Sequence, residues 1–124
     1  MGKRALVIDD SRAMRRILAG ILGEQGFEVI EAGDGREGLQ RLREADTVDV
    51  VLVDWNMPVM NGYDFIRAVR AEPCWGRLPL MMVTTETEMD HVVEALAAGA
   101  SEYLMKPFSA ESVLEKLSLL GVLE

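Results

Sequence analysis

Val50, Val51, Leu52 and Val53 form an unbroken apolar run that passes directly into Asp54 and then through Trp55, Asn56, Met57 and Pro58. A run with no polar residue at alternate positions suits a strand covered on both faces. Pro58 has no N–H to offer a neighbouring strand, so a loop follows Asp54. A carboxylate therefore stands at the carboxyl end of a buried strand, the edge on which open α/β sheets hold their ligands. Taken alone, Asp54 reads more simply as the cap of a turn or helix. What gathers at the other strand ends decides the matter.

A first apolar run at residues 4–8 ends at Asp9 and Asp10. Ser11 or Asp10 then caps a helix in which Met14, Ile17, Leu18, Ile21 and Leu22 recur at helical spacing. Arg12, Arg15 and Arg16 fall off that apolar face and read as a solvated surface able to steer an acidic partner. Gly23 lies near the end of this helix and Gly26 just beyond it. A short strand at 27–31 follows, Gly33, Asp34 and Gly35 mark a turn, and Leu39 and Leu42 support a helix to about Ala45. The opening strand spans 49–53, Asn61 and Gly62 close its loop, and Phe65, Ile66 and Val69 carry a third helix up to Pro73.

After a turn at 73–76, residues 79–83 (PLMMV) form a fourth strand ending at Thr84 and Thr85, and a fourth helix runs from Met89 to Ala98. Residues 101–105 make the last strand, ended by Lys106 and Pro107. Ser109 caps a final helix carrying Val113, Leu114, Leu117 and Leu120. Strand and helix thus alternate five times with short connections. The pattern predicts one α/β domain over residues 1–124, a doubly wound five-stranded parallel sheet with right-handed crossovers.

Composition narrows the function. The 124 residues, 49% of them hydrophobic, suffice for one core. No stretch approaches the ~20 apolar residues of a membrane span, and the first apolar run is too short for a signal peptide. Cys74 is a lone cysteine, so a reducing, cytoplasmic setting is expected. A net charge of −8 argues against a nucleic-acid surface, which needs clustered Lys and Arg. His91, the single histidine, has no metal-ligand company and reads as a surface residue. The eight Met residues read as flexible core filling, and Trp55 and Trp75 as packing residues.

In a parallel sheet every carboxyl end lies on one edge. That edge collects Asp9 and Asp10 after the first strand, Asp54 after the third, Thr84 after the fourth and Lys106 after the fifth. Two carboxylates ~4 Å apart repel by ~4 kcal/mol at an effective dielectric near 20. Three require positive charge, and Lys106 together with one divalent cation brings the formal sum to zero. Mg²⁺ suits an all-oxygen site that it shares with phosphate; the absence of His and Cys here disfavours zinc. In such a site a carboxylate acts as nucleophile toward a phosphoryl donor. The lysine and the Thr84 hydroxyl then hold the phosphoryl oxygens.

The segments VIDDSRAMRRIL, DWNMPVMNGYDF, VTTETE and AGASEYLMKPF, spread over almost the whole length, resemble the receiver domains of two-component response regulators, specifically the single-domain, CheY-like chemotaxis type. The resemblance implies a flavodoxin-like fold with strand order 2-1-3-4-5. It implies that Asp54 accepts a phosphoryl group from a histidine kinase and that Asp10 binds Mg²⁺ directly, Asp9 through water and Asn56 by its carbonyl. Thr84 is implied as the switch hydroxyl, Lys106 as the phosphate-pairing lysine with a cis bond to Pro107, and Tyr103 as the switch aromatic with inward and outward rotamers. Asn56 and Glu86 match positions that tune dephosphorylation. Thr85 departs from the small residue common there and stands to crowd the path between Tyr103 and the site.

The implied protein is a monomeric, cytoplasmic signalling switch and not a conventional enzyme, although it promotes its own phosphotransfer and autodephosphorylation. Its implied partners are a histidine kinase, a downstream effector such as the flagellar motor switch, and a phosphatase. Three other readings fit less well or leave the pathway open. An aspartate-nucleophile phosphatase needs a second Asp where Asn56 stands, and a flavin carrier needs a phosphate loop where Asp9 and Asp10 stand. A phosphorelay intermediate of a pathway other than chemotaxis shares all the motifs.

Overall fold

Five parallel strands make one sheet: β1 (Lys3–Ile8), β2 (Phe27–Ala32), β3 (Val50–Asp54), β4 (Leu80–Thr85) and β5 (Glu102–Lys106), in the order β2-β1-β3-β4-β5. The computed structural model that shows this describes residues 2–123, apart from the Glu86 side chain. Five helices alternate with the strands: α1 (Arg12–Glu24), α2 (Gly35–Glu44), α3 (Gly62–Arg70), α4 (Val92–Ala98) and α5 (Ala110–Leu119). This is the doubly wound, flavodoxin-like architecture with strand order 2-1-3-4-5. Among the described residues no helix is long and apolar enough to cross a membrane.

The apolar strands separate two cores, because successive residues of a strand face opposite sides. Leu6, Ile8, Val51, Val53, Leu80 and Met82 pack against α2, α3 and α4. Ala5, Val7, Val50, Leu52, Met81 and Val83 pack against α1 and α5 through Leu18, Leu22, Val113 and Leu117. Strands without a polar position are thus explained by helices on both faces.

Short polar residues start the helices by accepting an orphan N–H. Ser11 accepts from Met14 N–H, Asp34 from Glu37 N–H, Asn61 from Asp64 N–H and Ser109 from Ser112 N–H. Asp34 and Asn61 are therefore N-caps and do more than mark turns. Gly26, at φ 90°, follows α1 as expected.

Two expectations need correction. Ile17, assigned to the apolar face of α1, is 53% exposed, because the buried stripe is narrower and runs through Leu18 and Leu22. The fourth helix does not begin at Met89: a 3-10 turn over Glu86–His91 precedes α4. The Glu88 carboxylate accepts from both the N–H (3.2 Å) and the hydroxyl (3.2 Å) of Thr85, tightening the chain into that shorter turn.

Candidate functional site

At the ends of β3, β4 and β5 the polar residues lie inside the ladder, Asp54 pairing with Val83, Thr84 with Met105 and Thr85 with Lys106, whereas Asp9 and Asp10 follow the end of β1. Backbone pairing continues through them because it uses main-chain groups whatever the side chain is. Strand alternation then sorts what they carry. Asp54 has the parity of Val50 and Leu52, and Lys106 that of Leu104, so both belong to the α1–α5 side.

Lys106 Nζ lies 3.2 Å from Asp54 Oδ1 and 3.4 Å from Asp9 Oδ2. One ammonium therefore serves two carboxylates that are nearly sealed from solvent, Asp9 being 1% and Asp54 6% exposed. Asp9 is further fixed through its Oδ1, which accepts from Ser11 N–H at 2.8 Å, and by its own N–H to Ala32 O at 3.1 Å. Asp10 stays exposed at the mouth, and oxygens of Asp9, Asp10 and Asp54 all lie within 4.8 Å of one another.

Charge balance is incomplete in this arrangement. Burial, reinforced by the charge of Asp9, pushes the Asp54 carboxyl up to about 6, and Lys106 only partly offsets this. Burial also works against the Lys106 ammonium, but the combined pull of Asp54 and Asp9 outweighs it and raises Lys106 above its ordinary value. A buried carboxylate held this far up marks a site short of positive charge. The donor set is all oxygen, with a solvent-open carboxylate at its mouth, and it fits a hard divalent cation such as Mg²⁺. Asp9, Asp10 and Asp54 are the side chains that would hold it.

Thr84 lies on the neighbouring strand β4. It has the parity of Leu80 and Met82, on the α2–α4 side, and is fully buried. Its hydroxyl lies 3.4 Å from the Thr85 carbonyl and 3.4 Å from Glu88 Oε1. Both distances are long for a hydroxyl hydrogen bond, so the group is held weakly. Its partners belong to the start of the α4 segment, and one of them, Glu88, lies near enough to the crevice for its charge to add to the upward push on Asp54.

Tyr103 is half-buried against the α2–α4 core, with Lys116 Nζ 4.1 Å from its ring centroid and paired at 3.1 Å to Glu102. Thr85 is engaged by Thr87 (3.0 Å) as well as by Glu88. Asn56 is exposed in the turn after β3. The Glu86 side chain lies outside the described residues. The Lys106–Pro107 bond is cis.

Other residues turn out to be less peripheral than their sequence context suggests. His91 stacks on Trp55, with centroids 4.8 Å apart at 15°, and its Nδ1 is 3.0 Å from Glu94 Oε1. The indole beside Asp54 thus links β3 to the approach to α4. Glu88 was legible as the fourth residue of Thr85-Glu86-Thr87-Glu88, a capping-box spacing. Arg15 was not legible. Expected on a solvated face, it instead donates to the Asp9 carbonyl (2.6 Å) and pairs with Glu31 (3.1 Å), because the close approach of β2 and the β1–α1 connection captures it.

Comparison with known proteins agrees with this geometry. A family model described as "Response regulator receiver domain" matches residues 5–118. The chain is similar to the chemotaxis protein CheY1 of Helicobacter pylori (strain J99), with 41% identity over 117 residues covering 94% of each. It is also similar to the chemotaxis protein CheY of Pseudomonas aeruginosa, with 42% identity over 115 residues covering 92% of each. Its structure resembles that of the chemotaxis response regulator CheY4 of Vibrio cholerae, with a TM-score of 0.89 and 38% identity over 97% of this chain and 99% of that one.

Proposed function

The chain belongs to the response regulator receiver domains, and on that premise we propose that it is a phosphorylation-activated switch whose acceptor is Asp54. The observation that carries this reading is the Lys106 ammonium shared between Asp54 and Asp9 beside a third carboxylate, with Asp54 pushed up to about 6. At neutral pH Asp54 is mostly ionised and serves as the nucleophile. Its oxygen attacks the phosphorus of a phosphohistidine on a histidine kinase, the phosphorus–nitrogen bond breaks, and the electron pair leaves with the imidazole. Bound Mg²⁺ supplies charge neutralisation at the phosphoryl oxygens.

The chain's own residues do the rest. Lys106 moves from pairing two carboxylates to holding a phosphoryl oxygen, which offsets charge where it develops. Acylation of phosphate by Asp54 replaces a charge of −1 by about −2. The weakly held Thr84 hydroxyl then exchanges Glu88 for the phosphoryl group, which frees the 3-10 turn before α4, and Tyr103 repacks against the space vacated. A new face around α4, β5 and α5 results, read by a downstream protein. Similarity to chemotaxis proteins favours a motor-switch partner and a cytoplasmic, monomeric protein, with the described chain acting as one receiver unit. Asn56 and Glu86 tune spontaneous hydrolysis of the acyl phosphate.

Incubation with acetyl phosphate and Mg²⁺ tests this directly. Hydroxylamine-labile phosphate should appear on the parent protein, be lost in Asp54→Ala, and be lost on chelation of the metal. Label persisting in Asp54→Ala would reassign the acceptor.

A further inference from the structure

Arg15 lies in the first turn of α1 and reaches the main chain of the acidic pair. Its Nη1 donates to the main-chain carbonyl of Asp9 at 2.6 Å, while its Nε pairs with Glu31 Oε1 at 3.1 Å. Glu31 comes from β2, so one guanidinium joins α1, β2 and the loop leaving β1. Both side chains are mostly withdrawn from solvent, Arg15 at 19% and Glu31 at 33% exposure.

We propose that Arg15, held by Glu31, is a positioning residue that orients the Asp9–Asp10 peptide so that the Asp10 carboxylate faces the cation-binding cluster. The peptide unit is planar, so the carbonyl of Asp9 and the N–H of Asp10 turn together. A hydrogen bond to that carbonyl therefore sets the direction in which the chain delivers Asp10. The contacts already described, Asp9 N–H to Ala32 O and Ser11 N–H to Asp9 Oδ1, fix Asp9 itself. Exposed Asp10 depends on the peptide that precedes it. A guanidinium suits the task because its planar fork offers separate donors to a carbonyl and a carboxylate at once, which a single ammonium does poorly. Groups that orient metal ligands from outside commonly alter affinity by about 10–100-fold when removed.

This inference rests on the metal-site reading above, and the sign of one measurement separates positioning from charge. Arg15 is a cation near a cation site, so its charge alone opposes Mg²⁺, and removing that charge would tighten binding. Loss of orientation weakens it. Calorimetric Mg²⁺ titration of the purified protein should show Arg15→Met weakened about tenfold or more, Arg15→Lys partly restored, and Glu31→Gln weakened less. Circular dichroism of the metal-free proteins establishes that each variant is folded; if Arg15→Met is not, Arg15→Lys, which keeps the positive charge but not the planar fork, carries the test. Unchanged or tighter binding in folded Arg15→Met overturns the proposal, as does an unaltered Arg15→Lys when that variant carries the test. Absence of Mg²⁺ binding in the parent protein would overturn the metal-site reading itself, and the role of Arg15 with it.

Discussion

Asp54 combines two requirements that oppose each other. It must be buried at the sheet edge to lie beside Asp9 and Lys106, yet burial disfavours its ionised form. Its folded-state value of about 6 lies above the 3.8 of an ordinary aspartate, so ionisation costs the folded state stability. That cost is absent below the unfolded value, grows as pH rises from about 4 to about 6, and is constant above. The difference corresponds to on the order of 3 kcal/mol. Metal-free Asp54→Asn should accordingly be more stable than the parent at pH 7, with the gap closing toward pH 4. Urea denaturation across that range measures it, and a gap independent of pH would show that the carboxyl is not perturbed. Mg²⁺ should narrow the gap at pH 7 by stabilising the parent alone.

At the scale of elements, α3 begins hard against β3. Gly62 N–H donates to Trp55 O at 2.9 Å, and a Cβ on Gly62 would overlap the Asp54 carbonyl oxygen and lie 3.0 Å from Trp55 Cα. Both obstacles are main chain and cannot swing aside. Gly62→Ala should therefore destabilise the fold by about 1–3 kcal/mol and also reduce acetyl phosphate labelling per folded molecule, since relief comes from moving Asp54. Thermal melting and labelling on the same sample separate the two effects; a loss of stability with labelling intact would place the strain in α3 instead. The second informative element is the 3-10 turn before α4. Glu88 holds Thr85 at its start and contacts Thr84, while His91 at its end stacks on Trp55. The turn is thus anchored at both ends to residues that adjoin Asp54 in sequence or in the sheet.

For the whole molecule, the two faces of the sheet divide the work. Asp54 and Lys106 lie on the α1–α5 side, Thr84 and Tyr103 on the α2–α4 side. A movement of Thr84 toward a modified Asp54 would carry an event at the edge from one face to the other, through a hydroxyl held only by long contacts. Hydrogen exchange with beryllofluoride and Mg²⁺, a stable stand-in for the acyl phosphate, should change over residues 84–106, spanning the end of β4, the 3-10 turn, α4 and β5. Protection in α2 should stay as it was. Changes spread evenly over both faces would argue against this route.

Element order, the parallel sheet and the carboxylate cluster were all legible in the chain, since they depend on local composition and on the rule that parallel strands share a carboxyl edge. Apolar runs such as 50–53 specify burial on both faces, and Asp9, Asp10, Asp54 and Lys106 follow those runs directly. Strand order came by resemblance, because periodicity does not say which strands become neighbours. What only the tertiary structure decided was the side-chain partners across the edge. Thr84 contacts Glu88, Arg15 is drawn to the Asp9 carbonyl rather than to solvent, and His91 stacks on Trp55. Each depends on residues brought together by strand register and helix placement, where a shift of one position changes the face, and no local pattern of polar and apolar residues encodes that.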